Sequence, residues 1–171
     1  MERLKTEEYH DSIRGYFAGE LYNQMIDNKD IFCITADLGY GMLDKIKRDF
    51  PERFINVGAA EQTLIGVGVG LAEMDKIPIV YSITPFLLYR SFETIRNYIN
   101  KEQVPVKLVG SGRDDDYKDD GFSHSATDVK SILDAAFSNV VQLWPETKEE
   151  IPNILQQTIS NGKPTFISLK R

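Results

Sequence analysis

Apolar runs that are rich in β-branched residues alternate along this chain with segments of helical hydrophobic spacing. The six apolar runs are Ile31–Ala36, Arg53–Val57, Pro78–Ile83, Val106–Gly110, Asn139–Leu143 and Thr165–Leu169. The helical segments lie near Thr6–Asp27, Leu43–Asp49, Ala60–Met74, Phe86–Asn100, Ala126–Ala136 and Thr147–Ser160. Because such alternation is typical of right-handed βαβ crossovers, we predict an α/β fold. It is a doubly wound, mostly parallel six-stranded sheet with helices on both faces, formed by residues 1–171 as one domain.

The composition and net charge argue against some classes of binding partner. Hydrophobic residues make up 42% of the 171 residues and charged residues 27%, which is typical of a soluble globular protein. The net charge of −6 argues against a nucleic-acid or anionic-membrane surface, since either requires basic residues. The one cysteine, Cys33, lies in an apolar run and is expected to be a buried thiol. No apolar stretch reaches membrane-spanning length, so we expect a cytoplasmic protein with no membrane partner.

Ligands of open α/β sheets bind beyond the carboxyl ends of the strands. Glu61 lies in such a position, because it follows the predicted strand Arg53–Val57. An acidic residue in a first helical turn often does no more than complement the helix dipole. The helix that follows, Leu64–Ala72, is apolar on every side and is therefore expected to be buried. A carboxyl group at its start is partly desolvated, which suits it to proton transfer. The glycines of this helix do not form a nucleotide-binding turn, and they indicate close packing within the domain or against another subunit.

Two further groups of residues lie at the same predicted edge. Phe86, Tyr89 and Phe92 recur every three residues after a strand, a spacing that fits either a core stripe or a stacking platform for a flat heterocycle. His124 lies in a long loop between a strand and a helix, where a histidine is suited to substrate contact or proton transfer. The aspartates of that loop lack the spacing of a calcium site, so no metal site is predicted in this chain. Asp128 offers an N-cap for the next helix.

Three passages resemble one known family. The residues Asp49–Gln62, which read DFPERFINVGAAEQ, are similar to the pyrimidine-binding domain of transketolases and 1-deoxyxylulose-5-phosphate synthases. The similarity continues through Phe86–Asn97 and resumes at Asp120–His124, where the family commonly has D-G-x-[ST]-H. The A-E-Q passage and the D-G-F-S-H loop together are specific, whereas either alone is weak. One departure is Ser125, which stands where the family usually has Gln or His after the loop histidine.

The resemblance implies a cofactor and a set of site residues. In that family the glutamate matching Glu61 forms a hydrogen bond with N1′ of the aminopyrimidine of thiamine diphosphate and promotes its activation for ketol transfer. Aromatic residues matching Phe86, Tyr89 and Phe92 surround the pyrimidine ring. The histidine matching His124 lies beside the cofactor and the donor substrate. The resemblance thus implies catalytic roles for Glu61 and His124, and cofactor contacts for Glu61 and the three aromatic residues.

The diphosphate-binding motifs of the superfamily, G-D-G followed by N-N, do not occur in this sequence. The resemblance therefore implies a stand-alone, C-terminal-type subunit of a split transketolase, or else a piece of a longer enzyme; in both cases the site is shared with another chain. A partner chain would hold the diphosphate and Mg²⁺, in a hetero-oligomer expected to be a heterotetramer. We expect transfer of a two-carbon ketol unit between sugars or sugar phosphates. One alternative is a subunit that uses 2-oxo acids, as deoxyxylulose-phosphate synthases and dehydrogenase beta subunits do. Another is a non-catalytic scaffold of the same fold.

Overall fold

The computed structural model describes all residues from Met1 to Arg171, and its centre is a six-stranded sheet. The strands are β1 Ile31–Thr35, β2 Phe54–Asn56, β3 Ile77–Ile83, β4 Lys107–Ser111, β5 Val141–Leu143 and β6 Thr165–Leu169. They follow the order β2-β1-β3-β4-β6-β5, and every neighbouring pair is parallel. The predicted fold class is confirmed, and the sheet contains no antiparallel strand.

Seven α-helices surround the sheet, of which the first precedes β1 and the others connect strands. They are α1 Ile13–Asp27, α2 Asp44–Asp49, α3 Glu61–Ala72, α4 Thr84–Tyr89, α5 Phe92–Thr94, α6 Val129–Ala136 and α7 Ile151–Ser160. A π-helix over Ile95–Lys101 continues directly from α5, and short 3-10 turns lie at Thr6–Glu8, Pro51–Arg53, Lys118–Asp120, Phe122–His124 and Lys148–Glu150. None of the helices combines the length and the apolar character that crossing a bilayer requires.

The sheet separates two apolar layers, as a doubly wound fold requires. Side chains of α1, α2 and α7 pack on one face against Cys33, Ile79 and Val109. Side chains of α3, α4, the π-helix and α6 pack on the other face. Neighbouring strand residues alternate between the two layers, because successive side chains of a strand point to opposite faces. Cys33 is fully buried, and burial raises the pKa of its thiol to about 12, in agreement with an unreactive core residue.

Three predicted helices differ from the observed ones. The first begins at Ile13 rather than Thr6, because Ser12 caps it by accepting a hydrogen bond from the Gly15 amide at 3.0 Å. His10 therefore precedes the helix. The helix predicted over Phe86–Asn100 is divided at Arg90–Ser91, and its second half is the π-helix. Asp128 occupies the N-cap position of α6 but forms no side-chain cap.

The topology fixes where a ligand can bind. From β1 the chain moves outward to β2 and then crosses back to β3 on the other side of β1. The carboxyl ends of β1 and β3 therefore form the switch point of the sheet, where the connecting loops separate and leave a crevice. Asn56, at the end of β2, joins the loops at this edge, since its side-chain oxygen accepts hydrogen bonds from the Asp37 and Gly58 amides at 2.9 and 3.0 Å.

Candidate functional site

Glu61 is the first residue of α3, and its side chain is buried at the carboxyl edge of the sheet. Gly58, at a φ of +73°, lets the chain turn from β2 into the helix. Only 3% of the Glu61 side chain is exposed. Both of its carboxylate oxygens accept hydrogen bonds from Nη1 of Arg90, at 2.9 and 2.8 Å. A buried carboxylate at the ligand edge is thus paired with a single side chain.

Arg90 links this carboxylate to the first of the predicted aromatic residues. Its Cζ atom lies 3.7 Å from the centre of the Phe86 ring, in stacking contact. The arginine side chain is 48% exposed, whereas Glu61 beneath it is almost completely buried. Glu61 and Phe86 are brought together by α3 and α4, which follow two different strands. Both residues contact the same Arg90 guanidinium, and the site where they flank it is called the pocket below.

His124 lies on the other side of Phe86. The two ring centres are 4.7 Å apart, with the rings at 64° in an edge contact. The hydroxyl of Ser123 lies 3.1 Å from Nδ1 of His124. The loop is tied to the sheet by Arg113, whose guanidinium donates to the carbonyl of Pro145 at 2.9 Å and to that of Ser168 at 2.5 Å. The structure thus gathers Glu61, Phe86 and His124, residues that are far apart in the sequence.

Tyr89 and Phe92 point away from this group. The Tyr89 hydroxyl donates to Oδ1 of Asp128 at 2.6 Å. Burial and then this hydrogen bond raise the pKa of Tyr89 above its usual value. Phe92 packs against the Phe137 ring at 5.0 Å between centres, at the border of the core. The Asp128 carboxylate, which the sequence suggested as a helix cap, instead receives the tyrosine. The cofactor contacts predicted for Tyr89 and Phe92 stay predictions.

A cleft of about 520 Å³ at the switch point contains residues that the sequence reasoning missed. Arg14 enters it from α1, and Nη1 donates to the hydroxyls of Ser111 at 3.3 Å and Tyr117 at 2.9 Å. The Nε atom of Arg14 is buried without a partner. His10 lines the same cleft. Arg14 is separated from Tyr117 by 103 residues, so only the tertiary fold reveals that they meet.

Comparison with known families gives a direct match. The family model described as the transketolase pyrimidine-binding domain matches residues 12–171. The chain belongs to this family. The match includes Glu61, Phe86 and His124, and it extends from just before α1 to the last residue.

Curated relatives of the chain include transketolases and deoxyxylulose-phosphate synthases. A Methanocaldococcus jannaschii protein described as a putative transketolase C-terminal section is 30% identical over 84% of this chain and 45% of its own length. One subunit of an apulose-4-phosphate transketolase from Actinobacillus succinogenes is 30% identical over 71% of this chain and 39% of its own. A 1-deoxy-D-xylulose-5-phosphate synthase from Dehalococcoides mccartyi is 29% identical over 91% and 24%. The chain thus spans less than half the length of these relatives.

A solved structure shows the same fold. It is described as a split gene transketolase in an inactive beta4 tetramer. It superposes with a TM-score of 0.83 at 28% identity, covering 94% of this chain and 51% of that one. As with the sequence relatives, this chain matches only one part of a longer protein.

The residues of the pocket fit the pyrimidine ring of thiamine diphosphate, the cofactor that the family implies. A buried carboxylate at the base provides a hydrogen-bonding group for a ring nitrogen, and the Phe86 face provides a stacking surface for a flat heterocycle. The guanidinium of Arg90, a flat group with N–H donors, donates to this carboxylate and stacks on this ring. No three His, Cys, Asp or Glu side chains gather in an arrangement that could hold a metal ion.

Proposed function

We propose that this chain is the pyrimidine-binding subunit of a split, thiamine-diphosphate-dependent transketolase-like enzyme of the cytoplasm. It transfers a two-carbon ketol unit between sugars or sugar phosphates, and only together with a partner chain that binds the diphosphate and Mg²⁺. The single observation that carries the proposal is that buried Glu61 and the ring of Phe86 both contact one flat group, the Arg90 guanidinium, at the ligand edge of the sheet. Both contacts that a pyrimidine ring requires are present in one place.

Each pocket residue has a role in this proposal. Glu61 shares a proton with N1′ of the pyrimidine ring, and its burial keeps water away from that hydrogen bond. Phe86 provides the face on which the ring would stack, and contact of Tyr89 or Phe92 with the cofactor would require either side chain to leave its present partner, Asp128 or Phe137. His124, in edge contact with Phe86, lies where it can donate a hydrogen bond to the donor substrate. When bound, thiamine diphosphate supplies the carbon nucleophile that accepts the ketol unit.

The cleft around Arg14 supports a phosphorylated sugar as the substrate. Arginine is the side chain best suited to bind a phosphate group, because its planar fork matches the phosphate oxygens. Arg14 presents a buried, unpaired Nε beside the hydroxyls of Ser111 and Tyr117. The name of one relative, a subunit of an apulose-4-phosphate transketolase, is in keeping with such a substrate.

The need for a partner chain is supported by the part of the site that this chain provides. The pocket supplies contacts for a ring, whereas the chain has neither the G-D-G motif nor a cluster of metal ligands. Gly66 and Gly70 lie on the exposed face of α3, with no atom within 4 Å of the position that a Cβ would take. This face lies on the helix that begins with Glu61, so a partner that packs here comes close to the pocket.

Use of a 2-oxo acid as donor is the second candidate function. Several of the curated relatives are 1-deoxy-D-xylulose-5-phosphate synthases, which share about the same identity as the transketolases do. In either function the pyrimidine ring would contact Glu61 and Phe86, so these residues do not discriminate between the two. The two functions are distinguished by the donor substrate that the enzyme accepts.

The decisive experiment is to express the chain together with the product of its neighbouring gene and to purify the complex. We expect the complex, with thiamine diphosphate and Mg²⁺, to turn over a ketose phosphate, and the separate chain to show no turnover. Turnover of pyruvate in place of the ketose phosphate would assign the second function. A complex that forms but binds no thiamine diphosphate would refute both and leave a scaffold of the same fold.

A further inference from the structure

The pairing of Arg90 with both Glu61 and Phe86 has a consequence for cofactor binding, on the assumption that the proposed function holds. Its Nη1 contacts both oxygens of Glu61, and its guanidinium carbon lies 3.7 Å from the centre of the Phe86 ring. These are the two contacts that a pyrimidine ring needs. One face of an aromatic ring stacks on one flat partner at a time, so arginine and pyrimidine exclude each other there.

The chemistry of the two groups explains why one can replace the other. A guanidinium is planar, delocalised and carries N–H donors, and the amidine edge of a 4-aminopyrimidine has the same N–C–N arrangement. A buried carboxylate without any partner is strongly destabilising. In the absence of the cofactor, Arg90 removes that cost for Glu61.

The position of Arg90 lets it leave the pocket. It follows the last residue of α4, at the break before α5, and its side chain is 48% exposed. The guanidinium has no hydrogen-bond partner other than Glu61. Rotation of this one side chain into solvent therefore exposes the carboxylate and the ring without disturbing the core. By contrast, the guanidinium of buried Arg113 donates four hydrogen bonds within the protein and has a fixed place.

We infer that Arg90 acts as an internal substitute for the pyrimidine: it occupies the ring's place in the cofactor-free subunit and must be displaced when thiamine diphosphate binds. The bound and unbound positions of Arg90 form a two-state element. The apparent affinity for the cofactor equals the intrinsic affinity multiplied by the fraction of molecules in which Arg90 is displaced. Arg90 is thus a positioning residue that protects Glu61 and raises the cofactor concentration needed for assembly of the site.

The test uses the complex with the partner chain and measures binding of thiamine diphosphate with Mg²⁺ by calorimetry. Arg90→Met should bind the cofactor more tightly, by about tenfold if the displaced state is a minor one in the natural chain. Arg90→Lys keeps the charge but loses the flat stacking group, and we expect an intermediate affinity. Arg96→Met is the matched control, because Arg96 is exposed on the same segment and forms no hydrogen bond or ion pair.

A second measurement follows Arg90 directly in the natural complex. Phenylglyoxal modifies arginine side chains, and mass spectrometry gives the extent of reaction at Arg90 relative to Arg96. Addition of thiamine diphosphate should increase modification of Arg90, because the displaced side chain loses its partner. Unchanged or weaker cofactor binding by Arg90→Met, or protection of Arg90 by the cofactor, would overturn the inference. A natural complex that binds no cofactor at all would instead refute the proposed function.

Discussion

Both the amino edge and the carboxyl edge of the sheet contain buried charged side chains, but the hydrogen-bond partners of these side chains differ. At the amino edge, Lys107 is the first residue of β4, and its ammonium group donates to Oδ1 of Asn161 at 2.8 Å and to the carbonyl of Lys163 at 2.5 Å. Arg53, before β2, donates to the carbonyls of Met25, Asn28 and Ile31. Each cation there is held by fixed backbone or amide oxygens of the chain itself.

At the carboxyl edge Arg113 is likewise held by fixed partners, but the buried charge of Glu61 has a partner that can leave. Glu61 is as buried as Lys107, with 4% and 2% of each residue exposed. Its only partner is the half-exposed guanidinium of Arg90, a side chain and not a backbone group. A charge with fixed partners stabilises one structure. A charge with an exchangeable partner can instead bind a ligand, and this difference favours the surroundings of Glu61 as the site.

The largest expected effect comes from Glu61→Gln. The amide keeps the size of the carboxyl group but cannot give and take a proton at N1′, so ketol transfer by the complex should fall by about 100-fold or more. Folding should change little, since glutamine can still accept a hydrogen bond from Arg90. Initial rates with a ketose phosphate, together with thermal unfolding, give both quantities.

Glu73→Gln is the matched control for this variant. Glu73 lies just past the other end of the same helix, where it is exposed. It should retain normal turnover. Near-normal turnover of Glu61→Gln would remove the proton role from Glu61 and with it the contrast between the two edges.

The second prediction concerns stability and the amino edge. Arg53→Met removes a cation that donates to three carbonyl oxygens and lies over the Phe50 ring. Loss of charge-assisted hydrogen bonds to partly buried carbonyls should lower the free energy of unfolding by about 2–3 kcal/mol. Denaturant unfolding of the chain measures this loss. Cofactor affinity of the assembled complex should stay the same, since the proposed cofactor site lies at the opposite edge.

Arg48→Met provides the comparison for Arg53→Met. The Arg48 side chain is 67% exposed and pairs only with its neighbour Asp49. Removal of an exposed pair of this kind should cost less than about 0.5 kcal/mol. Equal losses for the two variants would mean that the carbonyl contacts of Arg53 contribute nothing.

The third prediction distinguishes two of the aromatic residues. Phe86→Ala removes the stacking face beside Glu61 and should weaken thiamine diphosphate binding to the complex by about tenfold. Phe92→Ala removes a ring that packs on Phe137, so its main effect should be on the free energy of unfolding. Calorimetric titration and denaturant unfolding of both variants separate the two effects. An affinity loss for Phe92→Ala beyond its loss of stability would support the predicted cofactor contact.

Much of the architecture could be predicted from the sequence, because strands buried on both faces are almost wholly apolar runs. The runs Arg53–Val57 and Asn139–Leu143 each exceed the observed strand by two residues, since the strands are only Phe54–Asn56 and Val141–Leu143. The division of the helix at Arg90–Ser91 was not predicted, as no glycine or proline marks it. It results from tertiary packing, in which a π-helix replaces regular helix.

Only those site residues that stand in recognisable sequence motifs could be predicted from the sequence. Glu61, Phe86 and His124 were identified because each stands in a motif next to a strand end. Arg90 lies inside the same matched passage, but its role depends on contact with a residue 29 positions away. Arg14 gave no signal, because a lone arginine in a first helical turn has many uses. Contacts across the sheet edge are set by topology and not by local pattern.

The smallest expected effect tests whether burial of the Lys107 ammonium group at the amino edge lowers the free energy of unfolding. Burial lowers the pKa of Lys107 to about 8, from the usual 10.5. Between these values the unfolded chain binds more protons than the folded one, so rising pH favours folding. The stability of the natural chain relative to Lys107→Met should therefore increase by about 1–2 kcal/mol from pH 7 to pH 10, which allows for partial solvent screening. Other titrating groups cancel in this difference.

Denaturant unfolding at the two pH values provides the measurement, and Lys76→Met controls for the loss of one positive charge. Lys76 lies at the same edge, but its side chain is 35% exposed and pairs with Asp30. A difference between the natural chain and Lys107→Met that does not change with pH would mean that the Asn161 and Lys163 oxygens compensate fully for burial. The amino edge would then bury its cation without cost, and only the carboxyl edge would hold a charge whose stability depends on what binds to it.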